Sequence, residues 1–573
     1  MRLIDILTPE EQEITTLLIN NGPYHYTPIT YSNSDKAMTL INKAVEKLRT
    51  TSWAKIYIFF DVDFDGLASG YLMWTMLRVL GQCNPLRIIP IINKERKHGI
   101  TDNIVETINS DKDNILTIIV DSSTNLTNIF TKLNSDCLII DHHDVEISSD
   151  LLNGQTTGGD YTIVNNEIDH IEYKSATEVV YEFWYNYSPD VLRDLQLEEW
   201  VAISLYSDVI HTYTSQNLWF TSFLRDLRPN CDIKKIVEPL NLVEVHNGKA
   251  CLTRNSISFQ LVPLVNSCMR LQCGQELIDI ILYRPHILPS YKSCVMKQKQ
   301  IVEILYKNAK IENYNDVMLV KLVKRISTKS GNILEQMNAQ KQNSILSSVD
   351  ISVLDGFNGL LATKVSNKND TVALVYDIYN EDDKQIVKGS IRTQGRYKNI
   401  NLRALLMNKP GWTASGHSDA FGFTYDLSFG DVHNMASDVV ETLADSKQSQ
   451  NHQTRFHLAD YNFFYNLTNT TNVDTINEVH RIAELNNLKT LNDRYYFEFQ
   501  VGAGFVIPQK NRYSSSIVDY VFSGHGLLRF KLTNYDGEEP TFEMGKKYEV
   551  YLEGTDGNTV HGTISEVTSK SNA

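Results

Sequence analysis

Three carboxylates fall within six residues at Asp61-Val62-Asp63-Phe64-Asp65-Gly66. Side chains this close repel one another, and a divalent cation that takes oxygen ligands, Mg or Mn, is the usual compensation. Asp121 follows in IIVDSSTN, then Asp141-His142-His143 in CLIIDHHDV, then Asp208 in AISLYSDVIHTY. Imidazole ligates Mn well, and a second, adjacent imidazole can supply or accept a proton near neutral pH. A D-x-D-x-D-G run has rival uses. An EF-hand calcium loop needs a preceding helix and a Glu at its twelfth position, where this chain has an apolar strand pattern and Leu72. An aspartate-nucleophile phosphatase site or a solvated acidic turn stays open on this motif alone.

The elements that must carry these residues can be read around them. Between residues 54 and 165, KIYIFF, LRIIPII, ILTIIV, CLII and YTIV alternate with segments of mixed polarity. Runs apolar at every position indicate strands covered on both faces, as in a parallel α/β sheet, whose ligands bind beyond the carboxyl ends of the strands. Asp61, Asp121 and Asp141 each stand directly after such a run. SATEVVYEFWYNY and the segment ending LEEWVAISLYSDVIHTY read as helices, and a Lys-rich helical pattern extends from about 289 to 326. Farther on, LLATKVS, VALVYDIY and QIVKGSIRT read as strands and DVHNMASDVVETLA as a closing helix. Beyond about 490, RYYFEFQVG, LLRFKLTNY and KYEVYLEG suggest a small β-barrel or sandwich.

The 573 residues are 42% hydrophobic and 21% charged, an ordinary globular composition that suggests three to four domains. With 54 Lys+Arg against 69 Asp+Glu the net charge is −15, which opposes binding to a polyanion unless basic residues are concentrated locally. The seven cysteines are scattered without a CxxC pair, which fits a reducing cytoplasm better than a disulfide framework. No apolar stretch is long enough to span a membrane and the acidic N-terminus does not read as a signal peptide, so a soluble cytoplasmic protein is expected. The abundance of Asn, Ile, Tyr and Lys would suit a virus-encoded protein acting in a bacterial cytoplasm.

Taken in order, the four pieces resemble the motifs of the DHH phosphoesterase superfamily. The resemblance implies a centre of two Mn2+ or Mg2+ ions, with Asp63, Asp65, Asp121, His142 and Asp208 as ligands and Asp61 close by as a catalytic carboxylate. It gives His143 the role of facing the substrate phosphate as general acid or electrostatic stabiliser, and makes Ser175-Ala176-Thr177 a helix start within the domain.

Downstream segments resemble the RecJ single-strand exonucleases within that superfamily. SISFQLVPLVNSCMRLQC is similar to a P-x-x-N-A-x-G-R segment and places Asn266 and Arg270 at its polar positions, with Met269 in place of Gly. Residues 355 to 423 resemble the DHH-associated domain, which implies phosphate contacts from Ser390, Arg392 and His417, close backbone approach at Gly416, and Ser415 where the family has Gly. Seven basic residues and no acid lie between Lys384 and Lys409, and ten basic residues against four acids between Lys292 and Lys341. Two basic segments flanking such a centre are what a channel for a single-stranded polyanion needs. Residues 414 to 573 instead carry 12 basic and 21 acidic residues. RecJ proteins have an oligonucleotide-binding barrel, so Tyr495, Tyr496, Phe497 and Phe499 are candidate stacking aromatics in a less basic counterpart.

The expectation is therefore an α/β chain. Residues 1–215 would form a parallel-sheet DHH domain with an N-terminal helical extension, and 216–345 a connector with the long basic helix. Residues 346–450 would form a smaller α/β DHH-associated domain, and 451–573 a C-terminal β-rich, OB-like domain. The expected activity is hydrolysis of single-stranded DNA from the 5′ end by a monomer, in repair, recombination or replication, favouring DNA over RNA. A single-strand-binding protein or helicase would be the partner. The alternatives are hydrolysis of short oligonucleotides or cyclic dinucleotides, and a non-catalytic replication scaffold.

Overall fold

The computed structural model describes residues 53–81, 85–93, 98–143, 145, 147–169, 174–208, 210, 215–246, 248–315, 317–321, 327–328, 331–332, 356–369, 371–381, 384–393, 400–416 and 420–446, with a few positions between 38 and 50. In the tail it describes 455–457, 482–483, 496–500, 509–510, 517–522, 526–532, 547–556 and 559–566.

The five expected strands form. They are β1 (Lys55–Phe60), β2 (Ile88–Ile92), β3 (Ile115–Val120), β4 (Asp136–Asp141) and, after a short β5 (Asn153–Gln155), β6 (Asp160–Asn165). The sheet order is β2-β1-β3-β4-β6-β5, parallel except for β5. Alternate residues explain the unbroken apolar runs. Ile56, Ile58 and Phe60 enter one core, while Tyr57 and Phe59 enter another on the opposite face. Each such side chain, once fully buried, contributes roughly 1.5–3 kcal/mol. The chain passes from β1 to β2 on one side and then crosses to β3 on the other, so the order reverses between β1 and β3. A crevice opens at the carboxyl ends of strands at such a switch point, and Asp61 and Asp121 sit there.

Helix α1 (Phe64–Gly81) starts after only three intervening residues, 61 to 63, from the end of β1. A Cβ on Gly66 would lie 2.7 Å from Asp61 Cα, so only glycine lets the helix begin this close to the strand end. On the same side pack α2 (Ala176–Tyr187), whose N-terminus is capped by Ser175, and α3 (Glu198–Ser207). Asp208 follows as the C-cap of α3, at the end of the helix where the sequence suggested its interior.

The same core continues through α4 (Val262–Arg270), α5 (Lys292–Asn308) and α6 (Asn358–Asn369) to Ala373 and Val375 of a second sheet. That sheet runs Trp412–Gly416, Ala420–Asp426, Lys384–Arg392, Val372–Glu381, Val317–Lys321, Lys310–Tyr314. Helix Val432–Ser446 covers its other face through Met435, Val439 and Leu443.

Two sequence expectations are corrected here. LLATKVS lies in helix α6, not a strand, because Leu361, Ala362 and Val365 recur at helical spacing and are all buried. The Lys-rich helix stops at Asn308, and Lys310–Tyr314 and Val317–Lys321 form an antiparallel pair around Asn315, whose φ is 46°. The second sheet therefore draws on residues before 346. In the tail, seven strands join one sheet in the order Arg455–His457, Tyr496–Gln500, Lys547–Asp556, Thr559–Glu566, Gly526–Leu532, Ile517–Phe522, Gln509–Lys510. No described helix is long and apolar enough to cross a membrane.

Candidate metal centre

His142 stands just beyond β4, and its Nδ1 lies 2.7 Å from the Lys174 carbonyl. A carbonyl oxygen only accepts, so Nδ1 carries the proton and Nε2 of the neutral ring presents a lone pair. That lone pair faces Asp121 Oδ1 at 3.2 Å, Asp208 Oδ2 at 3.4 Å and Asp65 Oδ2 at 3.8 Å. Burial, with repulsion among neighbouring acids, pushes Asp121 and Asp208 well above the usual carboxylate range, and burial also raises Asp65. The buried Oδ1 of Asp121 has no hydrogen-bond partner among the described residues. A bare imidazole nitrogen surrounded by carboxylate oxygens is repulsive on its own and is what a divalent cation would stabilise. Asp121 also takes a left-handed backbone conformation, φ 60°, a strain found where a side chain must be aimed.

Asp65 is fixed from behind. Its carboxylate accepts from the backbone N–H of Ala176 at 2.7 Å and of Thr177 at 3.0 Å, and from the Thr177 hydroxyl. The first turn of α2 thus supplies the donors an N-terminus leaves unsatisfied. Asp63 accepts from Gly66 N–H at 3.0 Å and groups with Asp61 and His98. Asp61 is buried and accepts from Gly99 N–H at 2.9 Å, with His98 Nδ1 also on its carboxylate. His98 was not singled out from the sequence, because the contact spans 37 residues. The His-Gly pair at 98–99, following LRIIPII, was the only available signal.

His143 also brings a ring nitrogen within 4.8 Å of ligand atoms of Asp121 and His142, and it has a carboxylate partner of its own. Its Nδ1 lies 2.7 Å from Asp141 Oδ1, and the ring is partly exposed. Asp141 is buried and takes further bonds from the Thr124 N–H and hydroxyl, which leaves it an ionised partner well below the usual range. Burial opposes charging His143, but Asp141 outweighs it and pushes the imidazole up to about 9. The ring can hold a proton at neutral pH beside the cluster of acids.

The basic residues expected downstream reach this site in part. Arg270, the last residue of α4, lies with Nη1 3.2 Å from Gln298 Oε1 on α5. Burial lowers its guanidinium to about 10, Asp63 opposes that shift and Arg392 adds to it, so both residues lie within its field. Arg392 ends its strand against the start of α6, where a Cβ on Gly359 would sit 2.6 Å from its Nη2. Asn266, one turn before Arg270, has a buried Oδ1 with no hydrogen-bond partner among the described residues. Ser390 stands two residues before the end of its strand and pairs with Val375 and Gly422. Gly416 pairs with Phe421, and its surroundings, like His417 itself, lie outside the described residues. Tyr495 and the side chains of Tyr496, Phe497 and Phe499 also lie outside them.

Residues 55–205, which span β1 through α3, match the DHH family, N-terminal domain. Residues 55–205 are a DHH-type domain, in a chain of RecJ-like fold. RecJ from Thermus thermophilus, solved in complex with Mn2+, superposes with a TM-score of 0.58 at 12% identity, over 96% of this chain and 73% of that one. The same organism's RecJ in complex with Mg2+ gives 0.55 at 11% identity, over 99% and 76%. At such identities the likeness establishes the fold. No curated protein matches the chain by sequence. In this DHH domain the motif residues named above are the ones that gather at the switch point, and the metal-compatible groups are Asp121-His142-His143, Asp61-Asp63-His98 and Asp65-His142-Asp208.

Proposed function

We propose that this protein is a two-metal, Mn2+- or Mg2+-dependent exonuclease that hydrolyses single-stranded DNA, with 5′-to-3′ polarity. One observation carries the proposal. The unprotonated Nε2 of His142 faces Asp65, Asp121 and Asp208 at 3.2–3.8 Å, and Arg270 shares the field of Asp63. Anionic ligands for cations and guanidiniums for phosphates are thereby brought side by side.

Asp65, Asp121, His142 and Asp208 would hold one ion, and Asp61 and Asp63, with His98 beside them and Asp121 shared, would hold the second. A pair of divalent ions supplies an activated water and stabilises the charge that develops on the phosphate and leaving oxygens. His143, protonated against Asp141, faces the leaving oxygen and delivers a proton to it. Arg270 and Arg392 grip the phosphates of the strand, oriented by Gln298 and by the start of α6, and Asn266, Ser390, Gly416 and His417 complete the track. The C-terminal sheet would add an OB-like module that contributes little electrostatically, given its excess of acids. Work on single strands in repair, recombination or replication, alongside a single-strand-binding protein or helicase in a bacterial cytoplasm, follows from that activity.

Hydrolysis of short oligonucleotides or cyclic dinucleotides is the alternative that the same chemistry permits, and length dependence separates the two. Degradation of a ladder of single strands from about 2 to about 30 nucleotides, with matched duplexes as controls, should quicken with length until the strand covers both basic segments. A preference for dinucleotides would contradict the exonuclease. A scaffold without catalysis is disfavoured because every acid and imidazole of the motifs is present.

A further inference from the structure

Lys174 is an anomaly behind the metal centre. It is 4% exposed, and burying an ammonium is costly unless it is paired. Its partners are Glu178, whose Oε1 is 3.3 Å from Nζ, and Glu182, which Nζ also bonds; both glutamates are fully buried on α2. Replacing a buried ion group of this kind by apolar residues of similar volume is often neutral or stabilising, so its presence is weak evidence of a purely structural role.

The backbone around it has a second task. The Lys174 carbonyl accepts from His142 Nδ1 at 2.7 Å and so selects the tautomer that leaves Nε2 bare. Two residues on, Ala176 and Thr177 donate to Asp65. Between them, Ser175 Oγ accepts from Glu178 N–H at 3.1 Å and bonds Ser204 Oγ at 2.6 Å. The turn from 174 to 177 therefore touches both His142 and Asp65, and the ion group ties its first residue to the helix that follows.

We infer that Lys174 is a positioning residue for the metal centre, its side chain tethered by Glu178 and Glu182 so that its carbonyl orients His142; the inference rests on the metal-centre reading above. Groups that orient a ligating histidine are typically worth about 10–100-fold in metal affinity.

Three variants test it in the full-length protein. Lys174→Met alone strands two buried glutamates, so the informative version is Lys174→Met/Glu178→Gln/Glu182→Gln, which leaves the pocket without charge. Glu182→Gln is a milder change that retains the contact with Glu178, and Lys174→Arg is the conservative one. Folding is checked by near-ultraviolet circular dichroism, Mn2+ affinity by calorimetry, and the His142 tautomer by nitrogen NMR spectra of the metal-free, histidine-labelled protein.

The triple variant is expected to bind Mn2+ about 10–100-fold more weakly and to lose the single Nδ1–H signature of His142. Glu182→Gln should move both readouts the same way by less, and Lys174→Arg should restore most of the affinity. Folded triple and Glu182→Gln proteins with unchanged affinity and an unchanged His142 signal would overturn the inference alone. A wild-type protein that binds no Mn2+ would instead overturn the metal centre, and the inference with it.

Discussion

Asp121 Oδ1 lies 3.2 Å from His142 Nε2, a buried carboxylate oxygen without a hydrogen bond among the described residues, set against an imidazole lone pair. Without a cation, burial and the neighbouring acids raise Asp65, Asp121 and Asp208, so these groups retain protons to higher pH than free carboxylates. Cation binding must displace those protons. Calorimetric titration of Mn2+ in buffers of different ionisation enthalpy should therefore show proton release and an affinity that falls as pH is lowered. Asp121→Asn should reduce the affinity by at least about tenfold. Binding independent of pH would contradict this arrangement.

His143 should be charged at neutral pH in the metal-free protein, since Asp141 outweighs the partial desolvation of the ring and pushes its pKa up to about 9. A raised folded-state value stabilises the fold fully below about 6.5, the unfolded value, and that contribution disappears as pH rises through about 9. Thermal unfolding in chelator should show the wild type losing stability relative to His143→Gln across this window. The same variant should keep Mn2+ affinity and slow turnover by about 10²–10⁴-fold, the usual scale for a proton-transfer group. Lost affinity would make His143 a ligand.

Much of this was legible in the sequence, for a physical reason. Strands buried on both faces leave unbroken apolar runs, so Ile56 to Phe60 and Ile115 to Val120 announced the parallel sheet, and the aspartates that end such strands fall where the order reverses. Contacts set by chain reversal were not legible. His98 meets Asp61 across 37 residues, and the intervening sequence has no spacing that encodes it. Lys174, Glu178 and Glu182 do have helical spacing, but charges at that spacing ordinarily mark a solvated face, and only the packing of α2 against α1, α3 and β4 buries them. The helix α6 reads as a strand in sequence because LLA is apolar at consecutive positions, although Leu361 and Val365 share one helical face. The Asn315-Asp316 pair between Tyr314 and Val317 was a turn signal that could have ended the Lys-rich helix earlier.

Arg270 and Arg392 reach the site from a helix and from a strand, and Arg270 stands in the field of Arg392. Two guanidiniums that repel one another favour a bound anion. Arg270→Ala or Arg392→Ala should weaken single-strand binding uniformly across sequences and reduce the slope of log K against log salt by about 1. Fluorescence anisotropy over a salt series measures it, and an unchanged slope would remove the residue from the phosphate track.

His98 groups with Asp61 and Asp63 while its ring stays exposed. His98→Ala should lower Mn2+ affinity or activity by roughly 10–100-fold while leaving the tight binding at Asp65, Asp121, His142 and Asp208 in place. Calorimetry would show it as loss of the weaker of two binding events. Two undiminished events would assign the ring to substrate alone.

The central claim is that the switch-point cluster hydrolyses a single strand with the help of divalent metal. Its most direct test is nucleotide release from 5′- and 3′-labelled single-stranded DNA, with Mn2+ and with chelator, for the wild type and Asp121→Ala. Mn2+-dependent release of mononucleotides from the 5′ end, absent in chelator and in Asp121→Ala, is the predicted result. No release with Mn2+ or Mg2+, release from the 3′ end alone, or release that survives Asp121→Ala would contradict it.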